Sequence, residues 1–250
     1  MTLNVEKTAR EFLERLSALR SDEELRKYQR YFRFRADDQP ADDHFIGVRM
    51  GQVFELAKEF IDLPLDQIEA LLESPVHEAR VGAVSIMDFQ ARNRKTSEQQ
   101  RKELFDLFIR RHDRINNWDL VDRAAPHVVG GYLYDKPRDV LYKLAASRNT
   151  WERRTAIVST AYFIRKGDLD DTFSLAELLV NDADDLVNKG TGWMLRAAGD
   201  KDRDRLLAFL DRHSAAMPRT LLRYAIEKLD KTQRSHYLAL GRRPIGPNEV

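Results

Sequence analysis

Trp118 and Asp122 stand four residues apart in the run Asn116-Asn117-Trp118-Asp119-Leu120-Val121-Asp122, so a helix there puts an indole and a carboxylate on one face. That pairing suits a particular chemistry. The indole face attracts a cation, and the carboxylate adds charge to the same attraction. Where a sugar develops cationic character, a carboxylate stabilises it and positions a water. Cleavage of an N-glycosidic bond develops such a cation. Trp193 lies in a segment of similar design further along and offers a second indole. Each residue also has a plainer reading. A large aromatic usually packs in a core, and Asp122 has Arg123, Arg153 and Arg154 as ion-pair partners to choose from.

Other chemistries find less support. His77-Glu78-Ala79-Arg80-Val81 opens like a zinc-protease helix, but Val81 stands where the second histidine ligand is required. The six histidines show no ligand spacing. Zero cysteines exclude disulfides, thiol catalysis and thiolate metal sites. Gly130-Gly131 lacks the lysine and the spacing of a phosphate loop and reads as a turn. The Asp182, Asp184, Asp185 cluster lacks the glycine and distal glutamate of a calcium loop. It reads as an acidic cap at a helix N-terminus. No serine sits in a nucleophile elbow. The expectation is a site that works with no metal and no cofactor.

The elements that must position these residues are helical. Phe12, Leu13, Leu16 and Leu19 share one helical face, as do Leu65, Ile68, Leu71 and Leu72, and no run alternates as a strand would. Breakers separate the segments, among them Pro64, Pro75, Pro126, Pro137, Gly167, Gly199 and Pro218. The segments also repeat. His77-Glu78-Ala79-Arg80, Trp151-Glu152-Arg153-Arg154 and the run from Leu186 to Trp193 each open a helix and pass through a basic residue to small residues. Small residues let neighbouring helices pack closely. Equivalent positions are Arg80, Asp119, Arg154, Lys189 and Arg223, spaced by 39, 35, 35 and 34 residues. Those are the intervals of paired helices that stack into a superhelix. The spacing predicts an all-α fold of paired-helix repeats stacked into a superhelix with a basic row on its concave face, the alternative being an irregular helical bundle. It predicts one domain over 1–241, with an N-terminal cap of about 60 residues, repeats over 61–241 and a tail over 242–250.

The chain of 250 residues is 42% apolar and 33% charged, enough to bury a core and stay soluble. No apolar run reaches the roughly 18–20 residues that cross a bilayer. The start of the chain, Met1 to Arg20, lacks the apolar stretch of a signal peptide. A cytoplasmic, monomeric protein with no membrane association is expected. Net charge is only +1, yet Arg219 to Arg243 holds seven basic residues and Asp168 to Asp185 is acidic. In a stacked array, Arg80, Arg153, Arg154, Lys189 and Arg223 would form a basic row, the footprint of a phosphate backbone.

Three runs carry a resemblance: Trp118-Asp119-x-Val121-Asp122, Trp151-x-x-Arg154-x-Ala156, and Lys189-x-x-Gly192-Trp193-x-Leu195-Arg196. With Tyr31-Phe32 and Phe45-Ile46-Gly47-Val48 upstream, their order and spacing resemble the AlkD-like DNA alkylation repair family of HEAT-like-repeat alkylpurine DNA glycosylases. The resemblance runs from about Arg10 to Leu240. It implies a right-handed superhelical solenoid of HEAT-like repeats with a concave basic groove, binding of duplex DNA in that face and metal-free removal of N3- and N7-alkylated purines. It further implies Asp122 as the catalytic carboxylate, Trp118 and Trp193 as the lesion cleft, and Arg154 as a backbone contact near the site. The chain departs from the family at Arg49-Met50-Gly51-Gln52-Val53-Phe54, where proline and arginine are usual, and in its long acidic stretch over 36–44. These residues read as a monofunctional glycosylase of base excision repair, acting in the cytoplasm on nucleoid DNA. The alternative is a non-catalytic helical-repeat protein that binds DNA structures or a protein partner.

Overall fold

The computed structural model describes residues 7–31 and 44–240. Phe32, the stretch over 36–43 and the tail over 242–250 lie outside them. Every regular element among the described residues is helical, and one isolated parallel bridge joins His44 to Val76. No helix among them is long and apolar enough to cross a membrane. The all-α expectation holds.

The helices group into two compact units, 1–132 and 133–250. The array expected over 61–241 runs across this boundary. The first unit holds α1 (Ala9–Ser17), α2 (Asp22–Tyr31), α3 (Met50–Glu59), α4 (Leu65–Leu72), α5 (His77–Arg92), α6 (Glu98–Arg110) and α7 (Trp118–Ala124). After α7 come a π-helical turn, Ala125–Gly130, and a short helix, α8 (Gly131–Leu133), whose last residue already belongs to the second unit. In this unit α5 is central, packing against α1, α3, α4, α6 and α7. Its apolar residues are therefore joined in the interior by its polar ones, including Glu78, Arg80, Ser85 and Asp88. Gly82 of α5 lets α1 come close: a Cβ there would lie 2.3 Å from the Phe12 ring. Phe12 in turn meets Phe60 edge-on, ring centroids 5.2 Å apart.

Two expected breaks turn out to be helical. Pro126 does not end the segment, and Gly130-Gly131 is not a turn. Proline has no N–H to give to the carbonyl four residues back, which would break an α-helix. Here the chain widens into a π turn instead, and Gly131 donates its N–H to the Pro126 carbonyl.

The second unit holds α9 (Asp139–Ala145), α10 (Thr150–Ser159), α11 (Ala161–Arg165), α12 (Asp170–Leu178), α13 (Asp185–Gly199), α14 (Arg203–His213), α15 (Arg219–Ala225) and α16 (Lys231–Leu240). One layer is α10, α13 and α15; α9, α12, α14 and α16 pack against it. The small residues act as expected, since a Cβ on Gly192 of α13 would lie 2.5 Å from Tyr224 Cβ and 2.6 Å from the Leu221 carbonyl of α15. Gly167, with φ +80°, closes α11: its N–H reaches the Ile164 carbonyl at 3.0 Å and that of Asp168 reaches Phe163 at 3.1 Å. The acidic cluster caps α13, where Asp184 accepts from the N–H groups of Leu186 and Val187. The repeat positions map onto α5, α7, α10, α13 and α15, the second helix of each successive pair.

Candidate functional site

Trp118 and Asp122 sit on α7, and side chains from three other parts of the first unit fix that helix. Asn117 caps its N-terminus, the side-chain oxygen accepting from the Trp118 N–H at 2.8 Å. Arg80 of α5 donates to Asn116 Oδ1 at 2.9 Å and reaches the Arg114 carbonyl, so it holds the turn that leads into α7. His77, buried at the start of α5, shares a 2.7 Å hydrogen bond between its Nε2 and Asp119 Oδ2. Phe45 stacks on the His77 ring, centroids 4.4 Å apart at 27°.

Phe45 reaches that place because residues 44–48 are pinned to the start of α5. His44 and His77 exchange backbone bonds with that segment: the His44 N–H donates to the Pro75 carbonyl, and the His77 N–H to the His44 carbonyl. The buried Glu78 carboxylate then accepts from three consecutive N–H groups, those of Ile46 (3.1 Å), Gly47 (2.8 Å) and Val48 (3.2 Å). Gly47 adopts φ +77°, and a Cβ there would lie 2.2 Å from the Ser21 carbonyl oxygen, so only glycine fits.

At the other end of α7, Arg123 meets α5. Its Nε donates to Ser85 Oγ at 3.0 Å, and its Nη1 pairs with the buried Asp88 at 3.2 Å. The guanidinium lies over the rings of Phe54 and Phe89, 4.8 Å from each centroid. Burial pushes the Arg123 pKa down, Asp88 opposes that shift, and Arg92 adds to it. Asp88 also pairs with His127 of the π turn at 2.6 Å and with Arg92 at 3.3 Å. Asp122 thus lies between two turns that are both tied to α5.

Between α3, α5 and α7 lies an open cleft of about 340 Å³ lined by Met50, Phe54, Val81, Trp118, Asp119, Asp122 and Arg123. Trp118 is 40% exposed there, far more open than a tryptophan packed in a core, and Asp122 is half-buried. The structure therefore brings Trp118 and Asp122 together on one wall, with a second carboxylate, Asp119, beside them. Trp193 belongs to the second unit, half-buried on α13.

The basic row comes out differently from its expectation. Arg80 is fully buried, and Arg154 is 5% exposed with its guanidinium donating to the Leu186 carbonyl. Both lie in central helices, where a side chain meets its own chain and not solvent. Gly190 leaves the space for Arg154, since a Cβ there would come within 3.2 Å of Nη1. Arg153 is engaged by Asp182 (2.6 and 3.1 Å) and by the Ser147 and Arg148 carbonyls. Lys189, 38% exposed at its side chain, pairs with Asp185 one turn away, and Arg223 is exposed. The acidic segment is likewise used internally, Asp168 and Asp171 both meeting Arg138.

Sequence reasoning missed Met50, Phe54, Val81 and the Asp88 partner of Arg123. Phe54 carried a signal, as it falls where the chain departs from the family pattern. Asp119 carried another, as the acidic member of an otherwise basic row.

The model of a family described as DNA alkylation repair enzyme matches residues 12–229. Among solved structures, a predicted DNA alkylation repair enzyme from Enterococcus faecalis superposes with a TM-score of 0.65 at 16% identity, covering 85% of this chain and 97% of that one. That likeness speaks for a shared fold. No curated protein matches the chain.

Proposed function

Because the chain belongs to the DNA alkylation repair enzyme family, we propose that it is a monofunctional DNA glycosylase that releases cationic N3- and N7-alkylated purines from duplex DNA. The observation that carries this reading is the cleft in which Trp118, Asp119 and Asp122 line one space of about 340 Å³. An exposed indole next to two carboxylates suits a base that already bears positive charge. As the C1′–N bond breaks, its electron pair moves to the base, which leaves neutral. Asp122 stabilises the sugar cation, water adds to C1′, and the water's proton passes to the carboxylate or to solvent. The departing base needs no strong acid. Among the described residues no lysine lines the cleft, which favours water as the nucleophile over Schiff-base chemistry. Lys189 and Arg223 are assigned to the DNA backbone and Trp193 to the DNA as well.

Asp122→Asn tests the mechanism. Release of 7-methylguanine from methylated duplex DNA should fall by about 100-fold or more, with DNA binding retained. Full activity in the variant would sink the role of Asp122. Binding without base release by the wild-type protein would assign it to the non-catalytic alternative.

A further inference from the structure

We infer that His77 is a positioning residue for base release: through Asp119 it holds a second carboxylate beside Asp122, where the sugar cation develops; this rests on the glycosylase reading above. Asp119 and Asp122 are three apart on α7, so they share one helical face, and both line the cleft. Arg123 lines it as well, but its charge is met by the buried Asp88 at 3.2 Å. Two carboxylates on one face repel each other, which would turn a loose Asp119 side chain away from Asp122. His77 opposes that. A carboxylate only accepts hydrogen bonds, so the proton of the 2.7 Å contact lies on His77 Nε2. The other oxygen of Asp119, Oδ1, accepts from the Leu120 N–H at 3.0 Å.

The imidazole is itself fixed. It is buried at the start of α5 and stacks on Phe45. Phe45 is backed by the Tyr28 ring of α2, centroids 5.9 Å apart, and the Tyr28 hydroxyl donates to the Val48 carbonyl at 2.8 Å. A line of contacts thus runs from α2 through Phe45 and His77 to one carboxylate of the cleft. The backbone at the start of α7 is already held by the Asn117 cap and by Arg80 in the turn before it. The bond from His77 goes instead to a side chain that lines the cleft. As the C1′–N bond breaks, two preset negative charges stabilise the sugar cation more than Asp122 alone, with no reorganisation at that moment.

The test measures single-turnover release of 7-methylguanine from methylated duplex DNA, with DNA affinity beside it. The proteins are wild type, His77→Phe, His77→Gln, Asp119→Ala and the double variant His77→Phe with Asp119→Ala. Phenylalanine keeps a ring for Phe45 to stack on and loses the donor, whereas glutamine puts an amide N–H near the place of Nε2. The rate should fall about 10-fold in His77→Phe and in Asp119→Ala, with affinity within about twofold of wild type, and His77→Gln should recover most of it. The double variant should be no slower than Asp119→Ala, because His77 acts only through Asp119. Additive losses, or a wild-type rate in His77→Phe, overturn the inference and leave the glycosylase reading standing. A wild-type protein that releases no base overturns the glycosylase reading and this inference with it. If His77→Phe folds poorly, the other two single variants decide: a 10-fold loss in Asp119→Ala with activity kept in His77→Gln upholds the inference, and a wild-type rate in Asp119→Ala overturns it.

Discussion

Removing the Arg80 guanidinium leaves Asn116 and the turn into α7 without their buried donor. Arg80→Met should therefore destabilise the protein by about 2–3 kcal/mol, read as a lower midpoint of urea unfolding. An unchanged midpoint with weakened DNA binding would instead return Arg80 to the DNA surface. The sequence shows a charged residue at a regular interval but not which side of a helix stack it faces. Arg80 and Lys189 look alike by spacing, yet one is enclosed and the other is 38% exposed at its side chain. The Trp118–Asp122 pair is legible because both residues lie within one helical turn. Phe54 is not, because it reaches the cleft from a helix more than sixty residues earlier in the chain.

At the scale of elements, glycines set how closely helices approach. Gly192→Ala would force Cβ against Tyr224 Cβ and the Leu221 carbonyl, at 2.5 and 2.6 Å, and backbone cannot swing aside as a side chain can. The expected loss is about 1–3 kcal/mol, measured by thermal or urea unfolding, with α13 moved from α15. A variant as stable as wild type would show that the helices part without strain. Periodicity, caps and small residues make most of the helices legible in the amino-acid sequence. The helical run through Pro126 is not, because proline's rule concerns the α-helix and the chain answers with a wider turn. That turn carries His127 to Asp88, so the exception serves the region around Asp122.

At the scale of the whole molecule, two phenols report on the packing of the second unit. Burial first, and then Asp171, pushes Tyr142 up to about 12; burial and Asp211 do the same for Tyr237. Both values lie above the ordinary 10.0 of tyrosine. Below that value folded and unfolded chains bind the same protons, so the stability these groups contribute is fully present and does not change with pH. As pH rises from about 10 to about 12, the unfolded chain ionises first and stability falls. Ultraviolet titration should show these two phenols ionising late, and Tyr142→Phe should remove one of them. Ionisation of every tyrosine complete by about pH 11 would contradict this.

The inward commitment of Arg80, Arg153 and Arg154 bears on how the protein would respond to ionic strength. A cation that meets a phosphate releases a condensed counterion, and each release steepens the salt dependence of affinity by about 0.9 in logarithmic slope. Of the five basic residues expected to face DNA, only Lys189 and Arg223 reach solvent freely enough to do so. Their share of the slope is about −2, a shallow one for a duplex binder. A measured slope much steeper than that would show that other cations among the chain's 42 Lys and Arg residues carry the contact with phosphate.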